Sequence, residues 1–244
     1  MKSDDLLLVA GNVLYVSAEL SQSWKTDVLN TLLFSGLYAS SKQDKFFDVE
    51  RWGIDYSKAM VNAKWNRSIY RSVDVEPEKD EVVVLSELVY KKISDVLGAG
   101  PAQQFGRMLT CIEQSPAPQG ILPILRKCAV STIGGEAEDV SQSSTIVLQI
   151  SLLGEEFVIH SVLIYLRTSE EIEVDFFNQG FVGGELMDKI SVDVLQYSLD
   201  KKGYEKARVR ENILKALPDT KDEMIIDLCS RCTVDEYENL AGIE

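Results

Sequence analysis

Histidine is nearly absent from this chain of 244 residues, whose one imidazole is His160. A zinc site built from several histidines is therefore excluded, and no H-E-x-x-H occurs. A Ser-His-Asp or Cys-His arrangement needs an imidazole base and would have to use His160. That residue falls in the row of Val158, Val162 and Ile164 in a predicted strand, which reads as a packed or partner-bonded strand histidine. Cysteine is scarce as well, at four residues (Cys111, Cys128, Cys229 and Cys232), too few for a disulfide scaffold in a chain this long. Reduced thiols are the expectation. Cys229 and Cys232 form a C-x-x-C, a spacing that can hold zinc or cycle as a dithiol. Zinc would need two more ligands, and Cys111 and Cys128 do not make a second close pair. The motif also closes a predicted helix, the wrong end of the dipole for activating a thiol. No metal and no cofactor is expected.

Positive charge is in short supply. Lys and Arg number 25 against 39 Asp and Glu, a formal net charge of −14. A field of that sign repels phosphate backbones, so nucleic acid is not an expected partner. It also disfavours adsorption to anionic lipid. The most basic run, residues 201–210, is interrupted by Glu205 and reads as a solvated helix face. Long hydrophobic runs are missing too. No stretch approaches the ~18 apolar residues of a membrane-crossing helix. The first residues carry one Lys and two Asp before a short apolar run broken by Gly11 and Asn12, unlike the positive start of a secretory leader. A cytoplasmic location is the expectation, with signal-independent export left open. Glycine-rich phosphate loops do not occur. Gly98-x-Gly100 has Gln103 where a third glycine belongs, and Gly134-Gly135 and Gly183-Gly184 read as turns.

What is present is a core. Apolar residues make up 45% of the chain, ordinary for a globular protein. Residues 144–178 organise it as three apolar runs separated by polar breaks. Ile146, Leu148, Ile150 and Leu152 alternate at period two, and residues 157–166 are apolar on both sides. Ile172, Val174 and Phe176 alternate with Glu171, Glu173 and Asp175. This predicts an antiparallel three-stranded meander whose last strand carries an acidic face.

Ahead of it the chain is helix-rich. Residues 5–16 allow a strand pair across a Gly-Asn turn or a short helix. A helix follows to about residue 41, with Ser17 as cap, Leu20, Trp24, Val28, Leu32, Leu33 and Leu37 on its apolar face, and Lys25, Thr26 and Asn30 on the polar one. A second helix spans 48–63, capped by Asp48, with Trp52 as a core anchor like Trp24. A strand is predicted over 68–76, ended by Pro77. Residues 82–97 read as helix stopped by Gly98, and Pro101 starts another. Residues 126–133 are a candidate strand and 134–143 an acidic loop. A short strand is predicted within 186–194, then helices over 204–217 and 221–229.

The fold class predicted is α+β: a helix-rich N-terminal half packed on an antiparallel β-meander, with C-terminal helices. One compact unit over 1–244 is expected, its only candidate sub-boundary at 134–143. With no nucleophile–base pair, phosphate loop, metal cluster or basic groove, the expectation is a non-enzymatic interaction or self-assembling protein. It would bind a protein partner or itself through sheet edges or the acidic strand face Glu171, Glu173 and Asp175. The alternative is a bacterial toxin or effector of pore-forming type, acting conditionally on membranes without a stable anchor. A third reading is an acid-cluster enzyme dependent on a divalent metal.

Overall fold

Period-two alternation places neighbouring side chains of a strand on opposite faces, so a strand apolar at every position needs a cover on both sides. The computed structural model, which describes residues 4–113, 120–134, 143–154 and 156–228, builds that arrangement. Its longest strands, β6 (Ser143–Leu153) and β7 (Val158–Thr168), form an antiparallel hairpin, and all eleven residues of β6 are buried. The first two runs of the meander are these strands. The third is not residues 171–178: the neighbour of β7 is β9 (Ile190–Leu199), also antiparallel. Residues 171–178 form turns instead, because Ile172, Phe176 and Phe177 are buried while Val174 is half exposed. Anchors at that spacing pull a folded-back turn into the core, whereas a strand with one dry face would bury Val174 along with Ile172 and Phe176 and leave Phe177 exposed.

The sheet continues beyond β9 to β3 (Trp65–Val75), which ends just before Pro77. On the other side, β2 (Asn12–Val16) runs parallel to β6, and β1 (Asp5–Val9) forms a hairpin with β2. The strand pair is therefore the outcome for 5–16, with Ala10 and Gly11 both at positive φ in its turn. Ser17 is not a cap. Its N–H bonds Leu153 O at 3.1 Å and prolongs the β2–β6 ladder, and the helix starts at Gln22. Residues 221–228 are not an α-helix either. A 3-10 turn, Lys221–Met224, leads to β10 (Ile225–Asp227), which covers the backbone edge of β1. Closing an open sheet edge outweighs a short isolated helix. Cys229 and Cys232 lie outside the described residues. Residues 126–133 divide between helix α5 (Ile121–Ala129) and strand β5 (Val130–Ile133), with Pro123 harmless in the first helical turn.

Helices cover both faces. On one side lie α1 (Gln22–Lys42) and α2 (Val49–Asn62), where Asp48 caps by accepting from Arg51 N at 3.0 Å. The C-terminal α6 (Lys201–Lys206) and α7 (Val209–Ala216) join that layer. On the other side lie α3 (Leu85–Leu97), α4 (Ala99–Glu113) and α5. The first turn of the predicted 82–97 helix is a strand, β4 (Val82–Val84), paired with β8 (Gly180–Val182). Mixed α+β with a mostly antiparallel sheet is thus the fold. No helix among the described residues is long and apolar enough to cross a membrane.

Two polar contacts stand out, one within the α1 layer and one between the layers. Asn30, predicted on a wet face, is buried, α1 being packed by both α2 and α7. There Arg210 Nε donates to Asp27 Oδ1 at 2.7 Å and Nη2 to Oδ2. The Asp27 side chain is 6% exposed and Arg210 is half exposed. The second contact fills a gap beside β6. β5 pairs with Ser143–Ile146 of that strand and β2 with Gln149–Leu153, which leaves Val147 and Leu148 uncovered on that edge. Lys45, between α1 and α2, reaches in and donates to Cys128 O at 2.7 Å, at the end of α5 on the opposite layer. Gly11, at φ +82, makes room: a Cβ there would sit 3.2 Å from Lys45 Nζ. Burial lowers the Lys45 pKa to about 8.

Arg210→Ala should leave a buried carboxylate without its partner and cost about 1–3 kcal/mol in urea unfolding. Asp27→Asn should cost less, since it removes the buried charge as well. For Lys45 the folded pKa lies below the unfolded one. The burial penalty is therefore complete below about pH 8 and is relieved as pH rises from about 8 toward 10.5. The stability of wild type relative to Lys45→Met should accordingly increase across that window.

Candidate functional site

The two faces of the sheet differ in chemistry. Toward α3, α4 and α5 the central strands present Ile146, Leu148, Ile150 and Leu152 from β6, Val162, Ile164 and Leu166 from β7, and Ile190, Val192 and Val194 from β9, all buried. Toward α1 and α2 the same strands present Thr145, Gln149 and Ser151, then Ser161, then Ser191 and Asp193, mixed with apolar residues. Register aligns the polar ones. Asn12, Gln149, Leu163, Asp193 and Ser72 form one cross-strand row, and Leu14, Ser151, Ser161, Leu195 and Tyr70 the next.

This seam lies beneath α2 and is only partly satisfied. Ser151 Oγ donates to Asn12 Oδ1 at 3.0 Å and shares a 2.6 Å hydrogen bond with Ser161 Oγ. Tyr197 OH and Arg67 Nη1 both donate to Ser57 Oγ of α2, at 3.1 and 3.2 Å. Asn12 Nδ2, Tyr56 OH and Asp193 Oδ1 are buried without a hydrogen-bond partner. The Tyr56 hydroxyl lies beside Gln149 and Asn12 but outside good hydrogen-bond geometry with either, and burial raises its pKa. Unsatisfied polar groups of this kind weaken a helix–sheet contact relative to an apolar one.

At its β3 end the seam opens to solvent. A cleft of about 350 Å³ lies between the start of α2 and the sheet, adjoined by a deeper one of about 250 Å³. Asp193 borders both, with Glu50, Tyr70 and Ser72 around it. Burial raises the Asp193 pKa, the Ser72 and Tyr70 hydroxyls oppose that shift, and the carboxylates of Asp74 and Glu50 add to it. Among the described residues the cleft holds acids and phenols but neither imidazole nor thiol. Among the described residues no group of three or more His, Cys, Asp or Glu is placed to hold a metal ion.

His160 lies on the opposite face, near Gln103, Gln104, Arg107 and Gln196 in an open cleft of about 580 Å³. Its Nδ1 is buried without a partner and burial lowers its pKa, so the ring is neutral near pH 7. Among the described residues no Ser, Thr or Cys lines that cleft. Of the acidic residues singled out by alternation, Glu171 and Glu173 are exposed on the turn after β7. Asp175 accepts from Asn178 N at 3.4 Å within that turn, so the three do not line a strand face. The seam itself escaped sequence reading. Its signal is the presence of Gln149, Ser151, Ser161 and Asp193 inside otherwise apolar strands, always on the same parity.

No known protein family matches the chain, and no curated protein does. Solved structures give distant likenesses. The activated Cyt2Ba monomer from Bacillus thuringiensis subsp. israelensis is 10% identical, with a TM-score of 0.45 over 77% of this chain and 96% of its own. A delta-endotoxin is 12% identical, with a TM-score of 0.40 over 77% and 80%. The Evf virulence factor is 9% identical, with a TM-score of 0.40 over 88% and 82%. Likeness of this degree carries nothing about activity.

Because the folded pKa of Asp193 is raised, its protonated form is the better buried one. Its contribution to stability is complete below the ordinary carboxylate value and is lost as pH rises through the folded one. Asp193→Asn should therefore melt higher than wild type near pH 7. The gap should close as pH falls toward about 4, which thermal unfolding followed by circular dichroism would reveal.

Proposed function

We propose that this protein works without covalent chemistry and acts on membranes, its sheet being the part that meets lipid and water. The observation that carries this reading is the difference between the sheet's faces. On one side, ten inward positions along the middle of β6, β7 and β9 are apolar and buried, and the other side carries Gln, Ser, Thr and Asp among its apolar residues beneath α2. A soluble three-layer protein gains nothing from burying unsatisfied polar groups there. A sheet that exchanges its helical covers for lipid on one side and water on the other needs that dyad pattern. Strand length fits as well. β3, β6 and β7 have eleven residues and β9 has ten, in the range of about 9–11 that a tilted strand needs to cross the hydrocarbon. The net charge of −14 favours zwitterionic over anionic lipid.

A second reading, assembly in solution with other proteins or itself, is supported by the length of the open β3 edge. The two separate on vesicles. Phosphatidylcholine liposomes loaded with a self-quenched dye should release it on adding the protein, and release should fall when phosphatidylserine is included. Absence of release from either composition between about pH 5 and about pH 8 would sink the membrane reading and leave assembly in solution.

A further inference from the structure

The sheet ends differently on its two sides. At one end the three-residue β10 closes over β1. At the other stands β3, eleven residues long, bonded to β9 along its inner edge only and exposed over most of its length. A row of peptide groups that long is a template for another strand. We propose that the occupant is β3 of a second copy of this chain, paired antiparallel about a two-fold axis through Ser72. This pairing belongs to the assembly reading and does not depend on membrane action.

The charges of β3 select both occupant and direction. Residues 65–71 hold Arg67 and Arg71 and no acid, whereas Asp74 near the end of the strand and Glu76 just after it are acidic. Parallel pairing would set like against like, and antiparallel pairing sets each end against its opposite. Register follows from the faces. Pairing with β9 places Arg67, Tyr70, Ser72 and Asp74 toward α2, and Ile69, Arg71, Val73 and Val75 toward α3, the parity shifting at the bulge between Arg67 and Ile69. An axis through Arg71 would stack two guanidinium groups. With the axis at Ser72, Tyr70 lies opposite Asp74 of the second copy, Ile69 opposite Val75, Arg71 opposite Val73, and Arg67 opposite Glu76. Every one of these pairs shares a face and occurs twice. Lys189 Nζ, 2.5 Å from Glu76 Oε1 and 4.0 Å from Asp74 Oδ2, stays as a second cation on that acidic end. The arriving segment would also pass the groove beside the start of β3, where Ile54 and Val61 are exposed next to Arg67. The product is an isologous dimer whose two sheets join into one.

The full chain is measured by size exclusion with light scattering over a concentration series. The mass should rise from 27.3 kDa toward twice that value. Arg67→Glu should weaken the dimer about tenfold, through two ion pairs, and Arg67→Glu with Glu76→Arg should recover most of the loss. Position 72 faces its own copy at a Cα separation of about 4.5–5.5 Å, within disulfide reach. Ser72→Cys should therefore cross-link between copies under mild oxidation, with the link mapped to position 72 by mass spectrometry. Asp74→Cys should not, its two copies lying about 13 Å apart along the strands. A mass that stays near 27.3 kDa at every concentration overturns the proposal. So does a dimer that Asp74→Cys cross-links as readily as Ser72→Cys. Dye release by a strict monomer would remove the pairing and keep the membrane reading, and a dimer without release would do the reverse.

Discussion

Strand β6 has to satisfy two cores at once, and the rest of the molecule is arranged around that demand. Its even-numbered residues need the cover of α3, α4 and α5, and its odd-numbered residues need α1 and α2. No lateral exposure is available either, since β7 occupies one edge and β2 with β5 share the other. A parallel neighbour on that shared edge obliges the chain to travel far between β2 and β6. The intervening residues supply most of the helices. The place where β2 and β5 fail to meet is sealed by the Lys45 ammonium, which links the connection after α1 to the end of α5. A buried lysine is a costly seal, and it persists because carbonyl oxygens there would otherwise face apolar surroundings.

The two helical layers are held by different physics. On the α3 side the contact is apolar along the middle of the central strands, and His160 at its margin is the residue there with a buried ring nitrogen that has no partner among the described residues. On the α2 side a seam of Asn12, Gln149, Ser151, Ser161 and Asp193 interrupts the packing, and three of its neighbouring polar atoms are buried without partners. Water would satisfy those atoms if α2 moved away, so exposing this face costs less than exposing the other. The helices of this layer are joined to one another by the Asp27–Arg210 pair and by Trp24 against Tyr204, and Trp24 also packs on Phe157 beside β7. The sheet therefore has one largely dry and one partly wet face, under covers of unequal polarity.

Much of this was legible residue by residue, and the errors have a common origin. The alternation over 146–152 and the apolar run over 157–166 were both strands, and Asp48, Gly98 and Pro77 ended elements where their chemistry requires. Residues 171–178 alternate as cleanly, yet Ile172, Phe176 and Phe177 fold back into the core under α3 and a distant segment takes the third place beside β7. Alternation reports which side chains prefer burial and is silent on whether a neighbouring edge is free. The same holds for residues 225–227, which look helical in isolation and become a strand because β1 has an unpaired edge. The seam was hidden for another reason. Each of its polar residues is ordinary within its own strand, and the pattern exists only across strands.

By itself, then, the amino-acid sequence determined the α+β class, the central hairpin, and the main helices with the Asp48 cap and the Gly98 stop, because these depend on local periodicity and backbone preference. Tertiary structure alone decided which strand lies next to β7, how both sheet edges end, and which polar side chains share one face, because hydrogen bonding between strands joins residues far apart in the chain and leaves no local trace.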